Sequence, residues 1–294
     1  MLPTSSVLPA STTASEMNPE LDADSIITKL NNDQEELHQF EKQFVTQVYN
    51  EIAPHFSNTR YSRWPFINQY ILEKENCLFA DIGCGNGKYM QSWKETWECY
   101  KGNKLSKTST NNCFIGTDIS EGLAGISGNE RNLEVMVADN NLLPFKSEKF
   151  DVVISVAVIH HFATPERRMN AIRELFRICK KGGEVLIYVW AFEQAAKKKT
   201  GDAEFTLRYP QQDVFVPWQL QKKFEKKSDA QSSSETEFSV TGEGAKVFKR
   251  YYHLFKEGEL EDLVTLASDG SFEFEFVKSH YYEKENWGVV CKKK

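Results

Sequence analysis

The chain has 294 residues, of which 40% are hydrophobic and 27% charged, and its formal net charge is −6. The 20 Phe, 11 Tyr and 6 Trp residues exclude a wholly disordered chain, because such chains lack the apolar area that offsets ordering entropy. No apolar run approaches the roughly 20 residues of a membrane helix, so we expect no membrane partner. The acidic balance argues mildly against a nucleic-acid substrate, since basic residues supply much of that affinity.

The six cysteines show no Cys-x-x-Cys or Cys/His ligand spacing. We therefore predict buried thiols in a reducing compartment and no metal site. In residues 1–30, the first 25 are rich in Ser, Thr and Ala. The first Lys of the chain is Lys29 and its first Arg is Arg60. Because secretory and transit signals need early basic residues, we predict a disordered tail on a cytoplasmic protein, with the nucleus as a second location.

The first predicted element is a helix over residues 33–53, in which Phe40, Phe44, Val48 and Ile52 form one apolar stripe. Pro54 is expected to end this helix. A second, short helix is predicted over residues 65–72.

Strand and helix patterns then alternate, which is typical of a doubly wound α/β fold. The predicted strands are residues 77–82, 113–118, 133–137, 150–159, 184–191, 272–277 and 287–291, and the later helices are 165–179 and 259–267. The last two strands follow one another closely and predict an antiparallel hairpin. Residues 197–249 are poor in apolar side chains and are predicted to be a mobile insertion in a single domain over 31–294.

A glycine cluster, Gly83-Cys84-Gly85-Asn86-Gly87, follows the first predicted strand. Asp81 lies just before it, and Asp118 and Asp139 end the next two strands. Because ligands of such sheets bind at the carboxyl ends of the strands, these acids are expected to surround one ligand. A purely structural interpretation is also open. Any doubly wound fold needs glycines in this tight turn, and the acids would then act only as caps at the protein surface.

The acids also indicate the ligand's chemistry. Asp118, with Ile119 beside it, is placed to accept the hydroxyls of a ribose, and Asp139, with Asn140, to accept an adenine amino group. The glycine spacing differs from the dinucleotide fingerprint, and no hydride-transfer residues accompany it, which disfavours a nicotinamide cofactor. Acids suit a ligand that carries an ammonium and a sulfonium.

The motif Asp-x-Gly-Cys-Gly-x-Gly, residues 81–87, is similar to the S-adenosylmethionine loop of class I methyltransferases. The resemblance implies S-adenosylmethionine as cofactor. It also implies a Rossmann-like, seven-stranded, mostly parallel sheet with an antiparallel C-terminal hairpin.

A narrower resemblance covers most of residues 41–293. The matching segments are residues 48–61, 64–65, 83–89, 159–162, 167–168, 187–191, 193–194, 212–218, 250–255, 257–260 and 286–287. They resemble the eukaryotic tRNA carboxymethyluridine methyltransferases, which complete a methyl ester on a wobble uridine. This resemblance implies two partners, tRNA and a small zinc-binding activator subunit. We expect the activator to cover an apolar edge such as the strand after Cys113.

A carboxylate acceptor is ionised at pH 7, since its ordinary pKa is about 4, and it needs no general base. Catalysis then depends on proximity and orientation. The candidate positioning residues are Arg60, His160, His161 and Arg250, and the candidate substrate-binding residues are Tyr61, Trp64, Trp218, Tyr251, Tyr252 and His253. Structural roles remain open for several of them, notably one of the two adjacent histidines and Trp218.

Two other functions stay open at this stage. The chain could methylate a small carboxylic acid or a lipid quinone, or it could be a weakly active or inactive relative that binds cofactor or partner and regulates.

Overall fold

The computed structural model describes residues 23–30, 33–102, 111–195, 205–225, 236–242 and 244–294. Most of the predicted tail lies outside the described residues, and its end forms a short helix. The helices are α1 (Ala23–Lys29), α2 (Gln34–Glu41), α3 (Gln47–Thr59), α4 (Pro65–Leu72), α5 (Lys88–Gly102), α6 (Glu121–Gly125), α7 (Pro165–Ile178) and α8 (Glu259–Ser268).

The strands of the described residues fall into three sheets. They are β1 (Leu78–Ile82), β2 (Cys113–Asp118), β3 (Val135–Val137), β4 (Phe150–Val156), β5 (Cys179–Trp190), β6 (Glu193–Ala195), β7 (Phe205–Leu207), β8 (Asp213–Gln219), β9 (Phe238–Val240), β10 (Lys246–His253), β11 (Phe274–Tyr282) and β12 (Asn286–Lys293). The seven-stranded sheet has the order β11-β12-β5-β4-β1-β2-β3, while β8-β10-β9 and β6-β7 form two smaller sheets.

The seven-stranded sheet carries the core. Strands β1 to β5 pair in parallel, whereas β12 runs antiparallel to both β5 and β11. The predicted mostly parallel sheet with an antiparallel C-terminal hairpin is therefore confirmed. Strand order reverses between β1 and β4, and at such a point the loops after the strands diverge and leave a crevice for a ligand.

The N-terminal helix is longer than predicted. Asp33 caps it by accepting hydrogen bonds from two backbone N–H groups, and helical structure continues through a π-helical segment, Lys42–Thr46, to the end of α3. Pro54 lies inside α3, so the prediction that it ends the helix was wrong. The turn of α3 that follows Pro54 is held in place because the buried His55 accepts a hydrogen bond from the Trp218 indole.

The fourth strand is shorter than predicted. It ends at Val156, because the next residue, Ala157, has a left-handed backbone with φ 62°. Such a backbone cannot continue a strand. Ile159–His161 then form a 3-10 turn, which places two adjacent histidines directly after the central strand.

The predicted insertion over 197–249 is not uniformly irregular. Within its described part, β8 and β9 pair with β10 in an antiparallel sheet. Trp218 and Phe248 are paired across this sheet and pack with Ile52 of α3. Val214, Phe215 and Val216 of β8 are all buried. A few short apolar stretches therefore build this sheet, and the average composition of the segment was a poor guide to it. Residues 197–204, 226–235 and 243 lie outside the described residues.

The two edges of the main sheet are β3 and β11. The strand after Cys113 is β2, which is paired on both sides with β1 and β3. The expectation that this strand forms the exposed apolar edge was therefore wrong, and that position belongs to β3. In the described part of the chain, no helix combines the length and apolar character needed to cross a membrane.

Candidate active site

A cavity of about 470 Å³ opens where the parallel strands end. Its walls come from the loops after β1, β2, β3 and β4, from the N-terminal helices and from β10. The predicted site residues on its lining are Arg60, Trp64, Asp81, Gly83, Gly85, Asp118, Ile119, Asp139, Asn140, His160, His161, Arg250 and Tyr252. The structure thus brings residues from distant parts of the sequence to one cavity.

Two buried carboxylates define one end of the cavity. Burial, reinforced by the neighbouring Asp118, raises the pKa of Asp81 to about 7, although Lys88 opposes this shift. Burial also raises the pKa of Asp118 to about 6, against hydrogen bonds from the backbone N–H groups of Ser120 and Gly85. A cationic ligand would favour the ionised form of both acids.

Polar atoms at this end lack partners. Asp81 Oδ2 and Asn140 Nδ2 are buried and have no hydrogen-bond partner among the described residues. Such atoms are costly to bury unless a ligand satisfies them. An unpartnered carboxylate oxygen suits an ammonium group, and an unpartnered amide N–H suits a ring-nitrogen acceptor. The chemistry of this donor and acceptor set therefore fits S-adenosylmethionine.

The glycine loop positions this end of the cavity. Gly83 has φ 74°, and a Cβ there would lie 2.3 Å from Val158 Cγ2. Gly87 likewise has a left-handed backbone, and a Cβ there would lie 2.5 Å from Leu133 Cδ1. Gly87 is not among the residues that line the cavity, and its left-handed backbone closes the turn.

Another part of the cavity lining is positively charged and includes Arg60 and Arg250. Arg250 is only 4% exposed, and its guanidinium lies 4.7 Å from the centroid of the Trp218 ring. The guanidinium of Arg60 lies over the same ring at 5.1 Å. In the described residues, neither arginine forms an ion pair with a carboxylate. A buried cation without a counter-ion indicates a site for an anionic ligand.

His160 adds a hydrogen-bond donor to this part of the lining. The Trp190 backbone N–H donates to His160 Nδ1 at 3.1 Å, so this nitrogen carries no proton. Burial lowers the pKa of His160 well below its ordinary value, and the ring is therefore neutral. The proton then resides on Nε2, which has no partner among the residues that the structure describes. This N–H is available to a ligand.

A chain of hydrogen bonds orients Arg250. Its Nη1 donates to the Tyr252 hydroxyl at 2.7 Å, which lies 2.9 Å from the hydroxyl of Tyr49. The Tyr49 hydroxyl is 3.2 Å from His161 Nε2, and His161 Nδ1 is 2.8 Å from the Tyr251 carbonyl. Burial lowers the pKa of His161 to about 3. The neutral ring therefore donates from Nδ1 and accepts from Tyr49, which gives the whole chain one direction.

Four further predicted site residues are not on the cavity lining. Tyr61 is 70% exposed. Trp218 lies behind the two arginines and donates to His55. Tyr251 is fully buried and donates to Asp213. His253 bridges the carboxylates of Asp213 and Glu259. Alternate residues of a strand point to opposite faces, so Tyr251 and His253 cannot share the cavity with Arg250 and Tyr252.

Several residues of the site were missed by the sequence analysis. Glu41 lies on the cavity wall and forms a two-point ion pair with Arg167 of α7 at 2.7 and 2.8 Å. Tyr49 belongs to the hydrogen-bond chain. Lys88 also lines the cavity, and burial lowers its pKa to about 8. Tyr49 lies in residues 48–61, one of the segments that resemble the methyltransferase family, so the resemblance could have pointed to it.

Comparison with known proteins identifies the chain. Residues 80–187 match a family described as Methyltransferase domain. The chain is 36% identical over 260 residues to the tRNA (carboxymethyluridine(34)-5-O)-methyltransferase of Schizosaccharomyces pombe, across 87% of this chain and 98% of the relative. The chain therefore belongs to the family of tRNA (carboxymethyluridine(34)-5-O)-methyltransferases. The predicted membership, methyltransferase activity and cofactor S-adenosylmethionine are thereby confirmed.

Relatives in this family differ in length. The protein named tRNA (carboxymethyluridine(34)-5-O)-methyltransferase alkbh8 from Xenopus tropicalis is 35% identical over 282 residues, which are 86% of this chain but 41% of that protein. Among solved structures, an S-adenosylmethionine-dependent methyltransferase from Clostridium acetobutylicum aligns with a TM-score of 0.52 over 83% of this chain and 98% of that one, at 13% identity. This likeness concerns the fold alone and agrees with the observed sheet.

Proposed function

We propose that the chain transfers the methyl group of S-adenosylmethionine to the carboxylate of 5-carboxymethyluridine at the wobble position of tRNA. The names of the relatives support this substrate. The observation that carries the proposal is the buried Arg250, which lines the cavity without a carboxylate partner in the described residues. An anionic acceptor supplies the missing counter-ion.

Two parts of the cavity lining separate donor from acceptor. Asp118 is the last residue of β2 and Asp81 the last but one of β1, whereas His160 follows β4 and Arg250 lies on β10. Neighbouring strands are about 4.8 Å apart, so the acids and His160 lie on opposite sides of the β1/β4 crevice. The ring of His160 packs on Tyr252 with centroids 4.8 Å apart, and Tyr252 accepts a hydrogen bond from Arg250, which places Arg250 on the His160 side. The cofactor supplies an electrophilic methyl group on a sulfonium, and the reacting atoms are expected to meet between these two sides.

The residues of the acceptor side bind and orient the acceptor. Arg250 and the Nε2–H of His160 hold the carboxylate through charge-assisted hydrogen bonds. Because the acceptor is already ionised, no side chain has to remove a proton, and the neutral histidines serve as donors and not as bases. Arg60 lies at the exposed mouth and stabilises the same negative charge. Orientation is the main contribution of the protein.

A methyl-transfer assay tests this proposal. The purified chain is incubated with S-adenosylmethionine and an anticodon stem-loop carrying 5-carboxymethyluridine, and nucleosides are analysed by mass spectrometry. We expect the methyl ester to form on this RNA and not on the same stem-loop with unmodified uridine. Product only with small carboxylic acids would support the alternative acceptor class. Cofactor binding without any product would support a regulatory relative.

We further propose that a small zinc-binding activator subunit pairs with the β3 edge. In this region Met136 is 40%, Val137 53% and Leu142 80% exposed, and among the strands that the structure describes β3 is paired only with β2. An exposed apolar edge strand is a template for pairing with another chain. We expect Val137→Asp to abolish co-purification with the activator while the chain retains cofactor binding. Unchanged complex formation would refute this location.

A further inference from the structure

A group of basic side chains leads outward from the cavity. The exposed Arg60 stacks on Trp218, whose indole donates to His55 at 3.1 Å. The ring of Phe224 stacks on His55 with centroids 4.8 Å apart, and Lys223 Nζ lies 4.9 Å from the centroid of Phe224. Lys223 is therefore linked to the mouth of the cavity by a continuous row of packed rings.

The row continues onto the three-stranded sheet. Lys222 Nζ lies 3.9 Å from the place that a Cβ on Gly244 would occupy. Two residues further along, Lys246 begins β10, and its Nζ lies 4.8 Å from the centroid of Phe238. Phe238 is 42% exposed. We refer to Arg60, Lys222, Lys223 and Lys246 as the basic track.

The basic track has an excess of positive charge. Within the described part of the chain, none of its four members forms an ion pair. The described carboxylates nearest in sequence to the three lysines are Glu225 and Glu237, so four cations face two carboxylates in these segments. Arg250 adds a fifth cation at the inner end of the track. This surface is locally basic, although the chain as a whole has a net charge of −6.

We propose that the basic track binds the RNA phosphates that flank the methylated nucleotide; this inference rests on the proposed function. A wobble nucleotide that enters the cavity leaves its neighbouring phosphates at the mouth, where Arg60 lies. Clusters of Lys and Arg are the electrostatic sign of nucleic-acid binding. The exposed ring of Phe238 supplies a surface on which an unpaired base stacks. Local charge thereby reconciles an acidic protein with an RNA substrate.

Charge reversal on the basic track tests the proposal. Equilibrium binding of a labelled anticodon stem-loop with 5-carboxymethyluridine is measured against KCl concentration for the wild type and for the double variant Lys222→Glu/Lys223→Glu. We expect RNA affinity to fall at least about 10-fold, and the slope of log affinity against log salt to decrease by about 1.4, that is, about 0.7 per lost phosphate contact. Affinity for S-adenosylhomocysteine should not change.

The control variant Lys146→Glu/Lys181→Glu makes the same change of charge elsewhere. Both lysines are exposed near the amino ends of β4 and β5, on the side of the sheet away from the cavity. We expect this variant to bind RNA within about twofold of the wild type, as expected for screened charges remote from the ligand. Equal weakening by both double variants would show an effect of net charge alone and would overturn the proposal.

The outcomes separate this inference from the proposed function. If the wild type methylates the stem-loop and the track variant binds it as tightly, the proposed function stands and the basic track is not an RNA surface. In that case, an acidic protein would be the ligand whose charge fits the basic track. If the wild type binds the RNA through the track but forms no methyl ester, the binding surface stands and the proposed function fails.

Discussion

Asp81 makes cofactor binding dependent on pH. In the free protein its pKa is raised to about 7, chiefly by burial, so half of the molecules carry a neutral carboxyl at neutral pH. The ammonium group of the cofactor pairs only with the ionised form, and a proton must be released from Asp81 below this pKa. Observed affinity therefore falls as pH decreases through about 7.

The magnitude follows from the ionised fraction. With the pKa of Asp81 at about 7, the ionised fraction is roughly one in eleven at pH 6 and ten in eleven at pH 8. Affinity should therefore be about tenfold higher at pH 8 than at pH 6. The pKa of Asp118 is raised to about 6, so its protonation steepens the loss below that pH, and the two acids titrate as a coupled pair.

Isothermal titration calorimetry with S-adenosylhomocysteine provides the assay, since this ligand keeps the ammonium group and does not react. The control is Asp81→Asn, which cannot ionise. We expect this variant to bind more weakly at pH 8 and to show less dependence on pH between 6 and 8. A wild-type affinity that is constant over this range would refute the role of Asp81.

Three substitutions test other parts of the site. Arg250→Ala should lower methyl transfer to RNA about 100-fold or more, because a charge-assisted contact is lost, while calorimetric affinity for S-adenosylhomocysteine is retained; equal loss of both would contradict an acceptor role. Tyr49→Phe leaves His161 Nε2 without its donor and should reduce kcat about 10-fold with little change in cofactor affinity, whereas unchanged kcat would argue against the hydrogen-bond chain. Gly83→Ala forces a Cβ against Val158 and should cost about 1–3 kcal/mol of unfolding free energy, which chemical denaturation measures; a stable variant with normal cofactor binding would contradict this steric argument.

The cofactor side of the site was largely predictable from the sequence. Asp81 lies near the end of a β-rich segment, and Asp118 and Asp139 end or follow the next two. The carboxyl ends of parallel strands meet at one edge of a sheet. The strand pattern of the sequence was therefore enough to predict that these acids lie close together. The structure confirms that they line one cavity, and their roles toward ribose and adenine stay predictions.

The acceptor side could not be predicted in the same way. Tyr49 contacts His161 across 112 residues of sequence and Tyr252 across 203, and no local periodicity encodes such a pairing. The segment before Arg250 is rich in charge and was interpreted as an insertion, so the strand that contains it was not recognised. Without the strand, the alternation that sends Tyr251 to the opposite face remained hidden.

The N-terminal helix shows the limit of local rules in another way. Proline inside a helix removes one backbone hydrogen bond, yet Pro54 lies within α3. Buried contacts on both sides of it, such as those of Ile52 and His55, stabilise the helix beyond the proline. Tertiary packing of this kind outweighs propensity, and it cannot be seen from a window of sequence.

A structure of the chain with S-adenosylhomocysteine and a 5-carboxymethyluridine anticodon loop tests the central claim most directly. The account predicts the ammonium group within hydrogen-bond distance of Asp81 and the carboxymethyl group on Arg250 and His160. It also predicts that one carboxylate oxygen faces the sulfur atom. A carboxymethyl group in solvent, or a cofactor bound away from Asp81 and Asp118, would contradict the account.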